Sequence, residues 1–250
     1  MAIPMTRLAL VTGTSSGIGA AVARDLIRRE WRVVGVSRRP GTIESSRYTH
    51  ISLDLSDVAG IGVKVDEEIT GLLSDVKRVA LVNSAADPGL LGTVGDIDPV
   101  DMLRVYAVNV AAPTWLMGLL VRRSVRGCAV RIVNVSSGAA LDAFPGLGTY
   151  GGSKAALRMS GMVLASELDA SDRPNMTIMS YDPGTVATAM QETVRASSVA
   201  TLPIVHVFKQ LEAEGLLVPP EGPAAEIADY LDGDHHARFM ERTFGAEATV

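Results

Sequence analysis

The sequence is poor in three features that would point to particular classes of protein. It has one cysteine, Cys128, no long run of lysine and arginine, and no apolar run of about 20 residues. A single cysteine excludes an internal disulfide, and one free thiol is typical of a reducing compartment. The absence of a basic run, together with a net charge of -5, argues against nucleic acid as a partner.

The chain also lacks the signatures of export and of metal binding. Its first seven residues have neither the charged nor the apolar region of a signal peptide, so we expect a cytoplasmic protein. Its four histidines have no ligand spacing with a cysteine or a carboxylate cluster, which predicts no metal site. A small molecule is therefore the expected partner, rather than nucleic acid or a membrane.

Short apolar runs recur along the chain without the alternation of half-exposed strands. They lie at 8–11, 33–36, 79–82, 130–135 and 177–179. Such runs are typical of strands buried on both faces of a parallel sheet. Stretches with helical spacing separate them, as at Ile18, Val22 and Leu26 and from Met102 to Leu120. We therefore predict an α/β fold with a doubly wound parallel sheet, formed by residues 1–250 as a single domain. Residues 186–220 break the alternation and contain three prolines, which indicates a helical excursion.

The first strand is followed by a glycine-rich turn, Thr12-Gly13-Thr14-Ser15-Ser16-Gly17-Ile18-Gly19, and then by an alanine-rich helix. Glycines in such a turn let the backbone approach a pyrophosphate, whose charge is held by the N-terminus of the helix. Glycines also serve merely to bend chains, so the position between strand and helix is what favours a phosphate site. The predicted cofactor contacts here are Gly13, Ser15, Ser16, Gly17, Ile18 and Gly19.

The Gly-x-x-x-Gly-x-Gly spacing of this turn resembles the short-chain dehydrogenase/reductase family, which has a Rossmann-type fold. Further segments match the family from Thr12 to Thr188: Asp54-Leu55, Asn83-Ser84-Ala85-Ala86, and Pro183-Gly184 with Val186 and Thr188. The resemblance implies an adenine contact at the first segment and a nicotinamide carboxamide contact at the third. Asp54 is alternatively a helix N-cap, and the second segment departs at Ser84 and Ala86 from the family's Asn-Asn-Ala-Gly.

Tyr150 and Lys154 lie four residues apart, hence on one face of a helix. Ser137, thirteen residues before Tyr150, matches the family's serine-to-tyrosine arrangement, with Ser136 as the alternative. A carbonyl that accepts hydride needs a donor to stabilise its oxygen and deliver a proton, and Tyr150 suits that role. We expect the charge of Lys154 to lower the pKa of Tyr150. In the family this lysine also holds the nicotinamide ribose, and Ser137 would orient the carbonyl oxygen.

Asn109 completes the family's catalytic tetrad. Pro113, four residues later, has no N–H group, so the Asn109 carbonyl loses its partner within the helix. Such a carbonyl can hold a water, which in the family links to the lysine and relays protons to the tyrosine. An ordinary proline kink is compatible with the same pattern.

The second strand ends at Ser37-Arg38, where NAD-binding sites usually place a carboxylate. Arginine at this position accepts a 2'-phosphate, so Ser37 and Arg38 predict NADP(H). The segment from Ala189 to Leu216 resembles the substrate loop of sepiapterin reductases and the related bacterial benzil reductases. Arg238 aligns with the acidic residue that anchors the pterin in sepiapterin reductases, which favours the benzil reductase branch.

These matches imply an NADPH-dependent reductase of one carbonyl in a vicinal dicarbonyl or hydroxyketone, and by resemblance alone a homodimer or homotetramer. Two alternatives stay open. An NAD-linked alcohol dehydrogenase is disfavoured by Ser37 and Arg38. A non-catalytic NADP(H) sensor is disfavoured by the complete set Asn109, Ser137, Tyr150 and Lys154.

Overall fold

The computed structural model describes residues 7–74 and 76–246. Its strands are β1 (Arg7–Thr12), β2 (Arg32–Ser37), β3 (Tyr48–Ser52), β4 (Arg78–Asn83), β5 (Ala129–Val135), β6 (Met176–Asp182) and β7 (Phe239–Thr243). Its helices are α1 (Gly17–Arg28), α2 (Val58–Thr70), α3 (Pro99–Tyr106), α4 (Ala112–Arg123), α5 (Gly148–Asp169), α6 (Ala189–Arg195), α7 (Val205–Ala213) and α8 (Glu221–Asp232).

The seven strands form one sheet in the order β3-β2-β1-β4-β5-β6-β7, and every neighbouring pair is parallel. The chain builds outwards from β1 to β3, returns to the centre, and builds in the other direction from β4. This confirms the predicted doubly wound α/β sheet. The reversal of strand order between β1 and β4 opens a crevice at the carboxyl ends of these strands, where such sheets bind ligands.

The side chains of β1 show how the sheet is packed. Successive side chains of a strand point to opposite faces. Leu8 and Leu10 therefore join one core cluster with residues of α2, α4 and α5, while Ala9 and Val11 join the other with residues of α1 and α8. Because both faces are covered by helices, the strand needs no polar alternation. That is why its sequence is a continuous apolar run.

The helical stretch Pro99–Arg123 contains one wide turn. A π-helical segment, Ala107–Ala111, lies between α3 and α4. Proline cannot donate to the carbonyl four residues before it, so Pro113 prevents a regular α-helical ladder here. Within the described part of the chain, this stretch is the one helix long and apolar enough to cross a membrane by length and composition alone. Its apolar residues Leu116, Leu119 and Leu120 are buried in the core beside the sheet.

The segment 186–220 contains the helices α6 and α7. A parallel bridge between Val186 and Val218 closes its base. Val194, Leu202 and Val205 form a small apolar cluster inside it. We call α6, α7 and the residues between them the lid; its substrate-binding role stays a prediction at this point.

Candidate active site

The candidate site lies at the carboxyl edge of the sheet. The glycine-rich turn follows β1, Ser84-Ala85 follows β4, Ser137 follows β5, and Pro183-Gly184 follows β6. Parallel strands end at the same edge, so segments far apart in sequence meet around one crevice. The fold therefore brings together most of the residues that the sequence singles out.

Two glycines of the turn are required by close backbone packing. Gly13 has a φ of +78°, and a Cβ there would lie 2.9 Å from the backbone of Ala85. A Cβ on Gly19 would lie 2.5 Å from the carbonyl oxygen of Gly13. Both distances are too short for any side chain. The backbone of α1 therefore packs directly on the turn, and the turn packs directly on the segment after β4.

The N-terminus of α1 is suited to an anion. Its N-cap, Ser16, makes no side-chain capping bond, and the first turn contains no acidic residue. The first N–H groups of a helix have no partner within it and carry partial positive charge. Together with the close turn, this end of α1 fits the pyrophosphate of a dinucleotide, with Gly17, Ile18 and Gly19 supplying the N–H groups.

Thr12, which lies just outside the predicted contacts, holds two parts of this edge together. Its Oγ1 accepts hydrogen bonds from the N–H groups of Ser84 (3.1 Å) and Ala85 (3.0 Å). The same hydroxyl donates to the Val82 carbonyl at 3.4 Å. A polar residue at the end of an otherwise apolar strand is the signal that could have indicated this role.

Asn83 lies at the end of β4 and is buried. Its Nδ2 donates to Oδ1 of Asn134 on β5 at 2.8 Å. Its Oδ1 is buried without a hydrogen-bond partner among the described residues. The side chain thus joins two central strands.

Beside the end of β2 lies a cavity of about 310 Å³, lined by Arg38, Ser52, Leu53, Asp54, Asp57 and Lys64. The side chain of Arg38 is 71% exposed, and its Nη1 lies 4.0 Å from Asp54 Oδ2. Ser37 is buried, and its hydroxyl donates to the Arg39 carbonyl at 2.8 Å. Arg38 is therefore the freer of the two predicted phosphate contacts.

Asp54 and Leu55 have different surroundings. The N–H group of Ser56, which donates to Asp54 Oδ1 at 2.9 Å, is the main cause that lowers the pKa of Asp54. The N-cap of α2 is Asp57, whose side chain accepts from the Gly60 N–H. Asp54 is thus not the N-cap considered as its alternative role, and Leu55 is buried in the core.

Tyr150 and Lys154 lie one turn apart on α5, as their spacing predicts. Lys154 is 2% exposed, its Nζ donates to the Val135 carbonyl at 2.7 Å, and it lies 5.7 Å from the centre of the Tyr150 ring. Ser137 Oγ accepts from the Ala139 N–H at 3.2 Å, and the Ser137 side chain lies close enough to Tyr150 to influence its pKa. Ser136 is buried, and its N–H donates to the Tyr181 carbonyl at 2.7 Å. The contact with Tyr150 favours Ser137 over Ser136 for the predicted role.

Burial dominates the ionisation of this pair. It raises the pKa of Tyr150 to about 12, although Ser137 opposes the rise; the nearby charge of Asp182 adds to it. Burial also lowers the pKa of Lys154 to about 8. The expected lowering of the Tyr150 pKa by Lys154 is therefore wrong for this structure, because desolvation of the phenol outweighs that attraction. Tyr150 holds its proton at neutral pH.

Asn109 is 1% exposed and fixed by hydrogen bonds on both sides of its amide. Oδ1 accepts from the Asp87 N–H at 2.8 Å, and Nδ2 donates to the Asp87 carbonyl at 2.8 Å and to Ser153 Oγ at 3.0 Å. Ser153 Oγ in turn donates to the Tyr150 carbonyl at 2.7 Å. Ser153, absent from the predicted set, thus links Asn109 to the helix turn of Tyr150. A water on the Asn109 carbonyl stays a prediction.

The segment after β6 connects the turn with the lid. Gly184 has a φ of +68°, and a Cβ there would meet open space. Val186 is buried at the base of the lid, and Thr188 is the N-cap of α6. The Thr188 methyl group would lie 3.2 Å from a Cβ on Gly17. The start of the first lid helix therefore rests on the glycine-rich turn.

Arg238 is not at this site, contrary to the alignment that placed it beside a bound pterin. It immediately precedes β7, at the amino edge of the sheet. There its Nε donates to Asp169 Oδ1 at 3.2 Å, and its Nη1 donates to the Arg173 carbonyl at 2.7 Å. Thr243, not Arg238, ends β7 at the carboxyl edge of the sheet. Arg238 therefore gives no reason to exclude a pterin.

Comparisons with known proteins agree with this geometry. A model of the short chain dehydrogenase family matches residues 7–198. The benzil reductase ((S)-benzoin forming) of Bacillus cereus is 29% identical over 241 residues, covering 90% of this chain and 94% of that protein. The sepiapterin reductase of Bos taurus is 27% identical over 252 residues, covering 91% and 90%. The crystal structure of a short-chain dehydrogenase/reductase from Saccharomyces cerevisiae has a TM-score of 0.82 at 22% identity, covering 96% of each chain.

Proposed function

The chain belongs to the short-chain dehydrogenase family and is an oxidoreductase with a nicotinamide cofactor; from this we propose an NADPH-dependent reductase of one carbonyl in a vicinal dicarbonyl or hydroxyketone. The observation that carries the proposal is the arrangement of Ser137, Tyr150 and Lys154 beside the phosphate-binding turn. We also propose that it acts in the cytoplasm as a homo-oligomer, as inferred from its single cysteine and its family.

The residues of the chain have distinct roles in this proposal. When bound, the nicotinamide supplies the hydride. Tyr150, whose raised pKa keeps the phenol protonated, donates the proton to the developing alkoxide. Ser137 orients the carbonyl oxygen by a hydrogen bond, and the charge of Lys154 stabilises the phenolate that the proton transfer leaves behind. Asn109 and Ser153 hold the helix turn of Tyr150 in place.

The choice of NADPH rests on the end of β2. No carboxylate stands at Ser37-Arg38 to bind a ribose 2'-hydroxyl, and the Arg38 guanidinium is exposed beside the cavity on the adenine side. A guanidinium can pair with two phosphate oxygens at once. The glycine-rich turn, Pro183-Gly184 and Thr188 would hold the pyrophosphate and the nicotinamide. An NAD-linked alcohol dehydrogenase is the competing enzyme, and a silent NADP(H) sensor is the competing non-enzyme.

The choice of substrate rests on the relatives and the lid. The Bacillus cereus relative is named for the reduction of benzil, a vicinal diketone. The lid contains the apolar cluster of Val194, Leu202 and Val205, against which Leu147, three residues before Tyr150, is packed. The cluster itself is buried, and Leu147 and Phe208, which pack against it and are only partly buried, offer the apolar surface that suits a bulky or aromatic diketone.

A panel of carbonyl compounds with NADPH and NADH tests both choices. We expect benzil-like diketones to be reduced with higher kcat/KM than simple monoketones, and NADPH to be preferred. Arg38→Ala should weaken NADPH binding roughly tenfold and leave NADH binding unchanged, because only NADPH carries the 2'-phosphate. Arg39→Ala, at an exposed neighbouring position, is the matched control. Preference for NADH would overturn the cofactor assignment, and superior reduction of monoketones would overturn the substrate class.

A further inference from the structure

Two buried polar atoms on the inner face of the lid have no hydrogen-bond partner within the described residues. They are Oε1 of Gln191 and Nη1 of Arg195, both on α6. Residues three and four apart on a helix share a face, so Gln191, Val194 and Arg195 point the same way. A buried unsatisfied donor or acceptor is destabilising, and native structures contain few of them. A donor and an acceptor left open on one helix face can both be satisfied by one bound polar group.

The charge of Arg195 is already balanced. Its Nη2 lies 2.8 Å from Oε1 of Glu212 on α7, and its side chain is 13% exposed. This ion pair fixes the guanidinium and leaves Nη1 as a directed donor. A second anion is disfavoured here, because both Glu212 and the Gln191 oxygen would repel it. The two open atoms, one donor and one acceptor, suit a neutral oxygen-bearing group.

The helix that carries these atoms connects two parts of the candidate site. At one end of α6, Thr188 contacts Gly17 of the phosphate-binding turn. At the other end, Val194 belongs to the apolar cluster on which Leu147 packs, just before Tyr150. Gln191 and Arg195 thus lie on a helix whose first residue is next to Thr188 at the glycine-rich turn and whose Val194 belongs to the cluster on which Leu147 packs.

We propose that Arg195 and Gln191 bind the second oxygen of the substrate, the one beside the carbonyl that is reduced. Nη1 of Arg195 donates to that oxygen in a diketone. When the second oxygen is a hydroxyl, the group also donates to Oε1 of Gln191. This inference rests on the proposed function and deepens it, because it makes the second oxygen the feature that the lid selects.

Benzil and deoxybenzoin are the matched test substrates, since they differ only in the second carbonyl oxygen. We expect Arg195→Met to lower the ratio of their kcat/KM values, benzil over deoxybenzoin, by roughly ten- to a hundredfold. Gln191→Leu should act more strongly on benzoin, which has the hydroxyl, than on benzil. Glu192→Gln, at an exposed position of the same helix, is the control and should leave the ratio unchanged. Arg195→Lys, which keeps a charge for Glu212, replaces Arg195→Met should the latter fail to fold.

The possible outcomes separate this inference from the proposed function. Equal losses for benzil and deoxybenzoin would mean that Arg195 only supports the lid, which overturns the inference. If direct titration shows that Arg195→Met binds NADPH more weakly, Arg195 contacts the cofactor and not the substrate. That result would also overturn the inference. A wild-type enzyme that binds NADPH but reduces neither compound would instead overturn the proposed function. A wild-type enzyme that reduces benzil, with a ratio unmoved by Arg195→Met, would overturn this inference alone.

Discussion

The two edges of the sheet use their polar groups in opposite ways. At the amino edge, Asp232 at the end of α8 accepts hydrogen bonds from Arg7 (2.8 Å) and Trp31 (3.0 Å) through one oxygen, and from Arg29 (3.1 Å) through the other. At the carboxyl edge and under the lid, Asn83, Gln191 and Arg195 each keep a buried polar atom without a partner among the described residues.

At the amino edge, arginine side chains also cap the C-terminus of α8. Arg78 donates to the carbonyls of Leu231 (3.0 Å) and Gly233 (2.9 Å), and Arg131, 3% exposed, donates to Gly233 (3.2 Å). Cations at the end of a helix satisfy its last carbonyls and its negative dipole. The polar groups described at the amino edge thus all have partners, whereas the carboxyl edge combines the bonded side chains of Thr12 and Asn109 with atoms that have none. Among the described residues, the buried atoms without a hydrogen-bond partner lie in Asn83, Gln191, Arg195 and, on β7, Arg242.

The largest expected contrast comes from Tyr150→Phe. Removing the phenolic hydroxyl deletes the proton donor, so turnover should fall by about 100- to 10,000-fold. The fold and cofactor binding should be retained, because the ring stays in place. Steady-state kinetics, thermal unfolding and NADPH titration check the three parts. Turnover near the wild-type level would contradict the role assigned to Tyr150.

Asp232→Ala tests the other edge. Three donors lose their shared acceptor, so the free energy of unfolding should fall by about 1–3 kcal/mol, while kcat per folded molecule stays unchanged. Urea unfolding measures the first and active-site titration the second. Asp234→Ala is the control, because Asp234 is 81% exposed and its ion pairs should contribute about 1 kcal/mol or less. If Asp232→Ala lost kcat without losing stability, the amino edge would have a catalytic role, and the contrast between the two edges would be wrong.

The smallest expected effect is a pH dependence of kcat/KM that arises from the buried Lys154. Because the pKa of Lys154 is lowered to about 8, its charge is present at pH 7 and mostly lost at pH 9. Tyr150, with its pKa raised to about 12, stays protonated throughout this range. The reductive kcat/KM should therefore fall about tenfold between pH 7 and pH 9, since this parameter reports the free enzyme. A profile that is flat to pH 9 would show that the charge of Lys154 is dispensable.

The sequence alone was sufficient for the parts of the molecule governed by local rules. Apolar runs indicated the five strands that are buried on both faces, and glycine spacing indicated the turn. The sequence alone did not predict β7, because this edge strand, Phe-Met-Glu-Arg-Thr, has no apolar run. The expectation that Arg238 lies beside the ligand failed at the same strand, because Arg238 precedes β7 at the amino edge. The hydrogen bonds of Thr12 to the segment after β4, and those of Ser153 to Asn109, join segments that meet only in the folded chain. The sequence alone could not predict them.

The wide π-helical turn at Ala107–Ala111 has a consequence for insertions and deletions. A π-turn adds one residue to a helix while its two flanks keep their phase. Deleting one residue there would leave the buried face of α4, with Leu116 and Leu120, directed at the core. What the shorter helix would lose is the position of Asn109. The core could therefore accept the shorter helix, and it is the site that needs the extra residue.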